Sequence, residues 1–147
     1  KLYYQKYNIR IIILRYAGVF GPGRNQGGVA IFIKNALSDK PLNILNNINW
    51  NIIYVKDVAK ANILAFEKLH KLNFEIINIA IPGEINIKDL AQKIIKISGS
   101  KSKIKISKFL SSFCLSSSAD KAQKILKFKP LSADQALTRY IEEIKKK

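Results

Sequence analysis

The sequence has 147 residues, about 48% hydrophobic and 24% charged, with a formal net charge of +16. That size suits one domain or a piece of a larger one, and the composition excludes disordered and fibrous classes. One cysteine, Cys114, and one histidine, His70, exclude an internal disulfide and Cys- or His-rich metal cages.

Residues 9–14 form an almost continuous apolar run rich in Ile, as in a parallel-sheet strand buried on both faces. Gly18, Gly21, Pro22 and Gly23 then punctuate a loop. Residues 29–37 read as a helix, with Ile33 and Leu37 at i, i+4, and Pro41 stops it. Residues 42–45 and 52–55 are short strand candidates. Asp57 follows as the expected N-cap of a helix reaching about His70, with Val58, Ala61, Ala65 and Leu69 on its apolar face. Another buried strand is expected at 74–79, ended by Pro82-Gly83. Asn86 and Asp89 start a further helix that carries Ile87, Leu90, Ala91 and Ile94 on one face and stops near Gly99. Ile104 and Ile106 alternate with Lys103 and Lys105, the pattern of a half-exposed strand. Two helices close the sequence, at 118–127 and from Ser132, where Gln135 stands three residues on. Strands alternating with helices make the class α/β. The serine patches 111–112 and 116–118 read as loop and cap, and no internal repeat is present.

The charge invites a nucleic-acid reading. Arginine is confined to Arg10, Arg15, Arg24 and Arg139, however, so 22 of the 26 basic residues are Lys. Base readers favour the arginine fork, no Lys/Arg block of five occurs, and Ile and Asn are abundant too, which fits AT-rich coding. No specific nucleic-acid partner is therefore expected. No apolar run approaches the roughly 18 residues of a membrane span, Arg10 and Arg15 interrupting the best candidate, so no membrane partner is expected and the expected location is cytoplasmic. The sequence begins at Lys1 and contains no Met, which reads as a piece starting inside a domain.

Four segments carry a family resemblance. Residues 15–24, RYAGVFGPGR, close a strand and resemble the R-x-x-x-V-Y-G-P-G segment of the extended short-chain dehydrogenase/reductases, the NAD-dependent nucleotide-sugar epimerases and dehydratases. Residues 52–61, IIYVKDVAKA, resemble that family's F-I-Y-V-x-D-V-A-x-A. Residues 77–80, INIA, are similar to F-N-I-G. Residues 121–130, KAQKILKFKP, resemble K-A-x-x-x-L-G-W-x-P, with Lys127 in place of Gly. The resemblance covers nearly all of the sequence. It implies the C-terminal portion of a Rossmann-like parallel sheet plus a small α/β substrate-binding lobe, so that 1–147 is the C-terminal half of an epimerase/dehydratase domain.

Two hallmarks of the family are missing from these residues: the glycine fingerprint and the catalytic Tyr-x-x-x-Lys. No Tyr here has Lys four positions later. Gly18-x-x-Gly21-x-Gly23 does not substitute for the fingerprint, because Pro22 removes an N–H where phosphate needs donors and Arg24 holds the place of the third Gly. No catalytic or metal-binding residue is thus expected within the sequence. The resemblance implies NAD or NADP as cofactor, bound mainly by the other half, with Tyr16, Ala17, Gly18 and Val19 beside the nicotinamide. It implies a nucleotide-sugar substrate near Gly23, Arg24, Asn25 and Trp50, and a homodimer formed through helices upstream. Three departures bear on substrate. Gly18 stands where Asn is frequent, Trp50 where an Arg clamps diphosphate, and Phe113 and Cys114 near the place of a second Arg. Trp50 reads as a core ring that also suits stacking on a base. Asn78 reads as a partner of backbone groups at a strand end, and Cys114 as a core or loop thiol. Rival readings are a non-catalytic nucleotide binder on the same fold and a basic nucleic-acid module.

Overall fold

The computed structural model describes residues 1–46, 48–107, 113–115 and 117–146, with backbone alone for 113–115. A short helix α1 (Leu2–Tyr7) ends on Asn8 in the left-handed conformation, φ 54°. It leads into β1 (Ile11–Tyr16), which pairs in parallel with β6 (Phe74–Ile79) in the register Ile11↔Phe74 to Tyr16↔Ile79. Between these strands run β2 (Gly18–Phe20), α2 (Gly28–Leu37), β3 (Leu42–Leu45), β4 (Ile48–Trp50), β5 (Ile52–Tyr54) and α3 (Val55–Lys68). After β6 come β7 (Ile85–Asn86), α4 (Ile87–Ser98), β8 (Ile104–Ser107), β9 (Phe113–Leu115), α5 (Asp120–Leu126) and α6 (Ala133–Lys145). β2 pairs in parallel with β5, β3 with β8 and β4 with β9, while β7 runs antiparallel to β4. The class is α/β, as the alternation of elements predicts.

Two cores result. One packs α2, α4 and α6 on β3 to β5 and includes Phe20, Ile33, Leu42, Tyr54, Leu90 and Leu137. The other packs α3 and α5 on β6 through Ile53, Ala61, Ile77, Ile79, Leu126 and Phe128. β5 joins them by strand periodicity: Ile52 and Tyr54 face the first core, and Ile53 faces the second. This strand therefore welds the two layers on either side of the loop that follows β1.

Several local expectations need correction. β1 starts at Ile11 and is not buried on both faces; Ile13 and Tyr16 are exposed, and among the described residues β6 is its sole ladder partner. The loop expected after residue 17 opens with β2, whose edge β5 satisfies. Asp57 is no N-cap. Tyr54 holds that position, and Asp57 lies in the first turn of α3, buried, its carboxylate accepting the Leu131 N–H at 3.0 Å. The Asp preference at helix starts placed it within one turn; the tertiary bond to residue 131 decides its role. Ser132 and Gln135 do form a complete capping box on α6, and Asn86 caps α4 through the Lys88 N–H. The final pair of helices starts two residues later than expected, at Asp120, whose N–H is accepted by the Ser118 hydroxyl. Residues 111, 112 and 116 and the Phe113 and Cys114 side chains lie outside the described residues. Asn78 meets the Ser118 carbonyl at 3.5 Å, a long contact beside the strand end. No helix among the described residues is long and apolar enough to cross a membrane.

Candidate functional site

The C-terminal ends of parallel strands are where α/β sheets gather ligands. There β2, the loop 21–27, the first turn of α2 and the segment 50–52 enclose a largely apolar cavity of about 160 Å³. Four residues expected at the site meet in it: Gly18, Val19, Arg24 and Trp50. The Trp50 ring stacks on Phe32, centroids 6.4 Å apart and planes 17° apart. Its tip lies against Gly28, where any Cβ would overlap the indole. Gly28 is thus a packing requirement: only a bare backbone lets α2 start beside a tryptophan. A Cβ at Gly18 would come within 3.2 Å of the Asn51 carbonyl, which accepts the Gly18 N–H at 3.1 Å.

Arg24 turns its guanidinium onto its own loop. Nη1 donates to the Val19 carbonyl at 2.8 Å and Nε to the Gln26 carbonyl at 2.9 Å. The Tyr140 hydroxyl reaches the Arg24 carbonyl at 3.4 Å, fastening the loop to α6. Gly23 and Asn25 face a neighbouring cavity of about 450 Å³ shared with Lys34, Tyr140 and Glu143. Tyr16 and Ala17 do not line the first cavity. The Tyr16 hydroxyl donates to Asn62 Oδ1 at 2.9 Å, and the Ala17 N–H continues the β6 pairing through the Ile79 carbonyl at 3.0 Å.

The sequence reading missed Gln26, Gly27, Gly28 and Asn51 as lining residues. The Gly27-Gly28 pair at the start of an apolar helix was a usable signal, since glycines there let side chains such as Trp50 and Arg24 pack directly on the backbone. Asn51 carries no such signal, because an Asn between two strands reads as a turn residue.

Arg24 is the sole charged side chain lining the first cavity among the described residues. The cavity can bind and orient a ligand, but its own side chains supply no general acid or base near neutral pH. Below it, the Tyr54 hydroxyl is held to Glu143 at 3.2 Å; burial first, and Glu143 second, push its pKa up to about 12. Burial also raises Tyr140. Neither tyrosine is poised as a base. Among the described residues no group of three or more His, Cys, Asp or Glu side chains is placed to hold a metal ion.

The model of the NAD dependent epimerase/dehydratase family matches residues 1–80. The chain belongs to that family. A relative, UDP-N-acetyl-alpha-D-glucosaminuronate decarboxylase of Bacillus cytotoxicus, is 33% identical over 107 residues, 69% of this chain and 33% of its own length. UDP-glucuronic acid 4-epimerase of Bacillus cereus, solved with UDP-glucuronic acid and NAD, is 28% identical and superposes with a TM-score of 0.82 over 99% of this chain and 48% of its own. Pal of Bacillus thuringiensis is 29% identical, with a TM-score of 0.82 over 99% of this chain and 49% of its own. The chain therefore spans about half the length of the solved family structures it matches and a third of that curated relative.

Proposed function

We propose that the chain is the substrate-side, C-terminal half of an NAD(P)-dependent nucleotide-sugar epimerase, dehydratase or reductase. The observation that carries the reading is the cavity in which Gly18, Val19, Arg24 and Trp50 meet at the strand ends, inside a fold that superposes along its whole length on about half of an NAD-containing UDP-sugar epimerase. The cavity's lack of an acid or base fits a division of labour in which the Tyr-x-x-x-Lys pair lies on other residues of the whole protein.

The residues present fit a nicotinamide cofactor on one side. At Gly18 a Cβ would crowd the Asn51 carbonyl, and Gly18 lines the cavity with bare backbone rather than side chain. Tyr16, Ala17, Gly18 and Val19 would flank the nicotinamide; NAD or NADP, when bound, takes and returns the hydride. Trp50, backed by Phe32, offers an indole edge and apolar wall to the nucleotide sugar. The N–H groups of the first α2 turn border the same space and favour an anion such as a diphosphate. Arg24 shapes the loop through its bonds to backbone carbonyls and lines both cavities, while Gly23 and Asn25 would meet the substrate from the second.

The test is turnover. The whole protein, given a panel of UDP-sugars with NAD, or with NAD(P)H as the hydride donor for a net reduction, is expected to convert at least one to its epimer or to a dehydrated or reduced product, read by chromatography. A second reading, a nucleotide binder without chemistry, is favoured by Trp50 occupying the place where the resemblance puts a diphosphate Arg. Binding of UDP-sugars with no product would select it; neither binding nor turnover would overturn both.

A further inference from the structure

Asn51 is 6% exposed, and its side chain joins two segments while its backbone joins a third. Its amide NH2 donates to the Gly83 carbonyl. Its carbonyl oxygen accepts the Ser117 N–H and, at 3.3 Å, the Ser117 hydroxyl. Its own backbone carbonyl accepts Gly18 N–H at 3.1 Å. The partners fix the orientation of the amide: an acceptor faces its nitrogen and a donor faces its oxygen, so no other side chain of this size satisfies both. Gly83 sits at φ 84° in the turn after β6 and, with Pro82 and Trp50, lines a third cavity, which shares Trp50 and Ile52 with the first. Asn51 thus stands at the point where β2, the Gly83 turn and the Ser117 segment converge around Trp50.

We infer that Asn51 is a positioning residue for nucleotide binding, holding the walls on both sides of Trp50 in the geometry that admits the ligand. The inference rests on the nucleotide-sugar reading of the cavity and adds to it the residue that organises the cavity without being a group of the reaction. Its energetic logic is asymmetric. Removing the amide leaves the Gly83 carbonyl and the part-buried Ser117 N–H, on two loops, without these partners, and such groups draw water or move. Trp50 precedes Asn51 and lines both the first cavity and, with Gly83, the third, so a displacement there reaches the ligand site.

The whole protein is titrated calorimetrically with UDP in the presence of NAD, as wild type, Asn51→Ala, Asn51→Asp and Ser117→Ala. Asn51→Asp keeps the acceptor facing Ser117 but sets a carboxylate oxygen against the Gly83 carbonyl. Both Asn51 variants are expected to bind UDP at least tenfold more weakly and to raise KM for the sugar nucleotide while kcat falls less than threefold. Ser117→Ala, which keeps the N–H, stays within threefold of wild type. Amide exchange at Ser117 speeds at least tenfold in Asn51→Ala with NAD affinity unchanged, which separates a local effect from a misfolded one. Wild-type UDP affinity in Asn51→Ala overturns the inference alone. Loss of NAD and UDP binding together, or of kcat in step with KM, overturns it in favour of a purely structural role. Failure of the wild type to bind UDP overturns the site reading, and this inference with it.

Discussion

Single residues show where backbone and charge constraints act. Lys127 ends α5 in the left-handed region, φ 55°, at the position where the family pattern has Gly. A Cβ in that conformation costs roughly 1–2 kcal/mol, part of which glycine gives back as extra freedom when unfolded. Lys127→Gly in the whole protein is therefore expected to stabilise by about 0.5–1 kcal/mol in urea unfolding, by the same balance; a loss of stability would contradict the strain. Tyr54 gives a pH test. Its hydroxyl is buried against Glu143 and its pKa is pushed up to about 12, above the ordinary 10, so the fold favours the neutral phenol. The resulting stability is complete below pH 10 and is lost as pH rises towards 12. The many lysines titrate in the same window in any variant, so the difference is the readout. Wild type should lose more stability than Tyr54→Phe between pH 9.5 and about 11.5, and parallel losses would refute the burial of the hydroxyl.

Elements were legible in proportion to their period. α4 and α6, with apolar residues spaced at three and four and with capping Asn86 and Ser132, fall where the sequence put them. β4, β7 and β9 were not foreseen, because two- and three-residue strands leave no period to read and exist only through tertiary pairing. β1 was legible as a strand but misjudged in burial, since an Ile-rich run says that both faces want cover and not that the cover is present. A third of the cavity lining was legible in the same way. Gly18, Val19, Arg24 and Trp50 came from a motif, whereas Asn51 and Gly28 matter through what stands opposite them, which no local pattern encodes. The join between α3 and the residues ahead of α6 is the element-scale prediction. Asp57→Ala removes the buried acceptor of the Leu131 N–H, and the uncovered donor should cost about 1–3 kcal/mol, with Asp57→Asn recovering much of it. Equal losses in Ala and Asn would place the effect in charge near the helix start instead.

At the scale of the molecule the two cores are well filled, yet one face is not. Leu2, Tyr3, Ile9, Ile63 and Phe66 are exposed, Leu2 at 79% and Phe66 at 77%, beside a strand whose described partner lies on one edge alone. Open edges and contiguous apolar surface are aggregation sites. Residues 1–147 expressed alone are expected to form soluble aggregates by size-exclusion chromatography; a monomer with a sharp two-state melt would contradict this. The net charge of +16 does not organise the site, whose lining has Arg24 as its single described charge. Motif order, not charge, leads to the proposed function. The central claim is that Trp50 and its cavity receive the nucleotide sugar. It is tested most directly by calorimetric titration of UDP-glucuronic acid, and of other UDP-sugars in turn, into the whole protein with NAD present, wild type against Trp50→Ala. The account predicts saturable binding of at least one UDP-sugar that Trp50→Ala weakens at least tenfold with NAD affinity unchanged; equal affinity in the two proteins would contradict it.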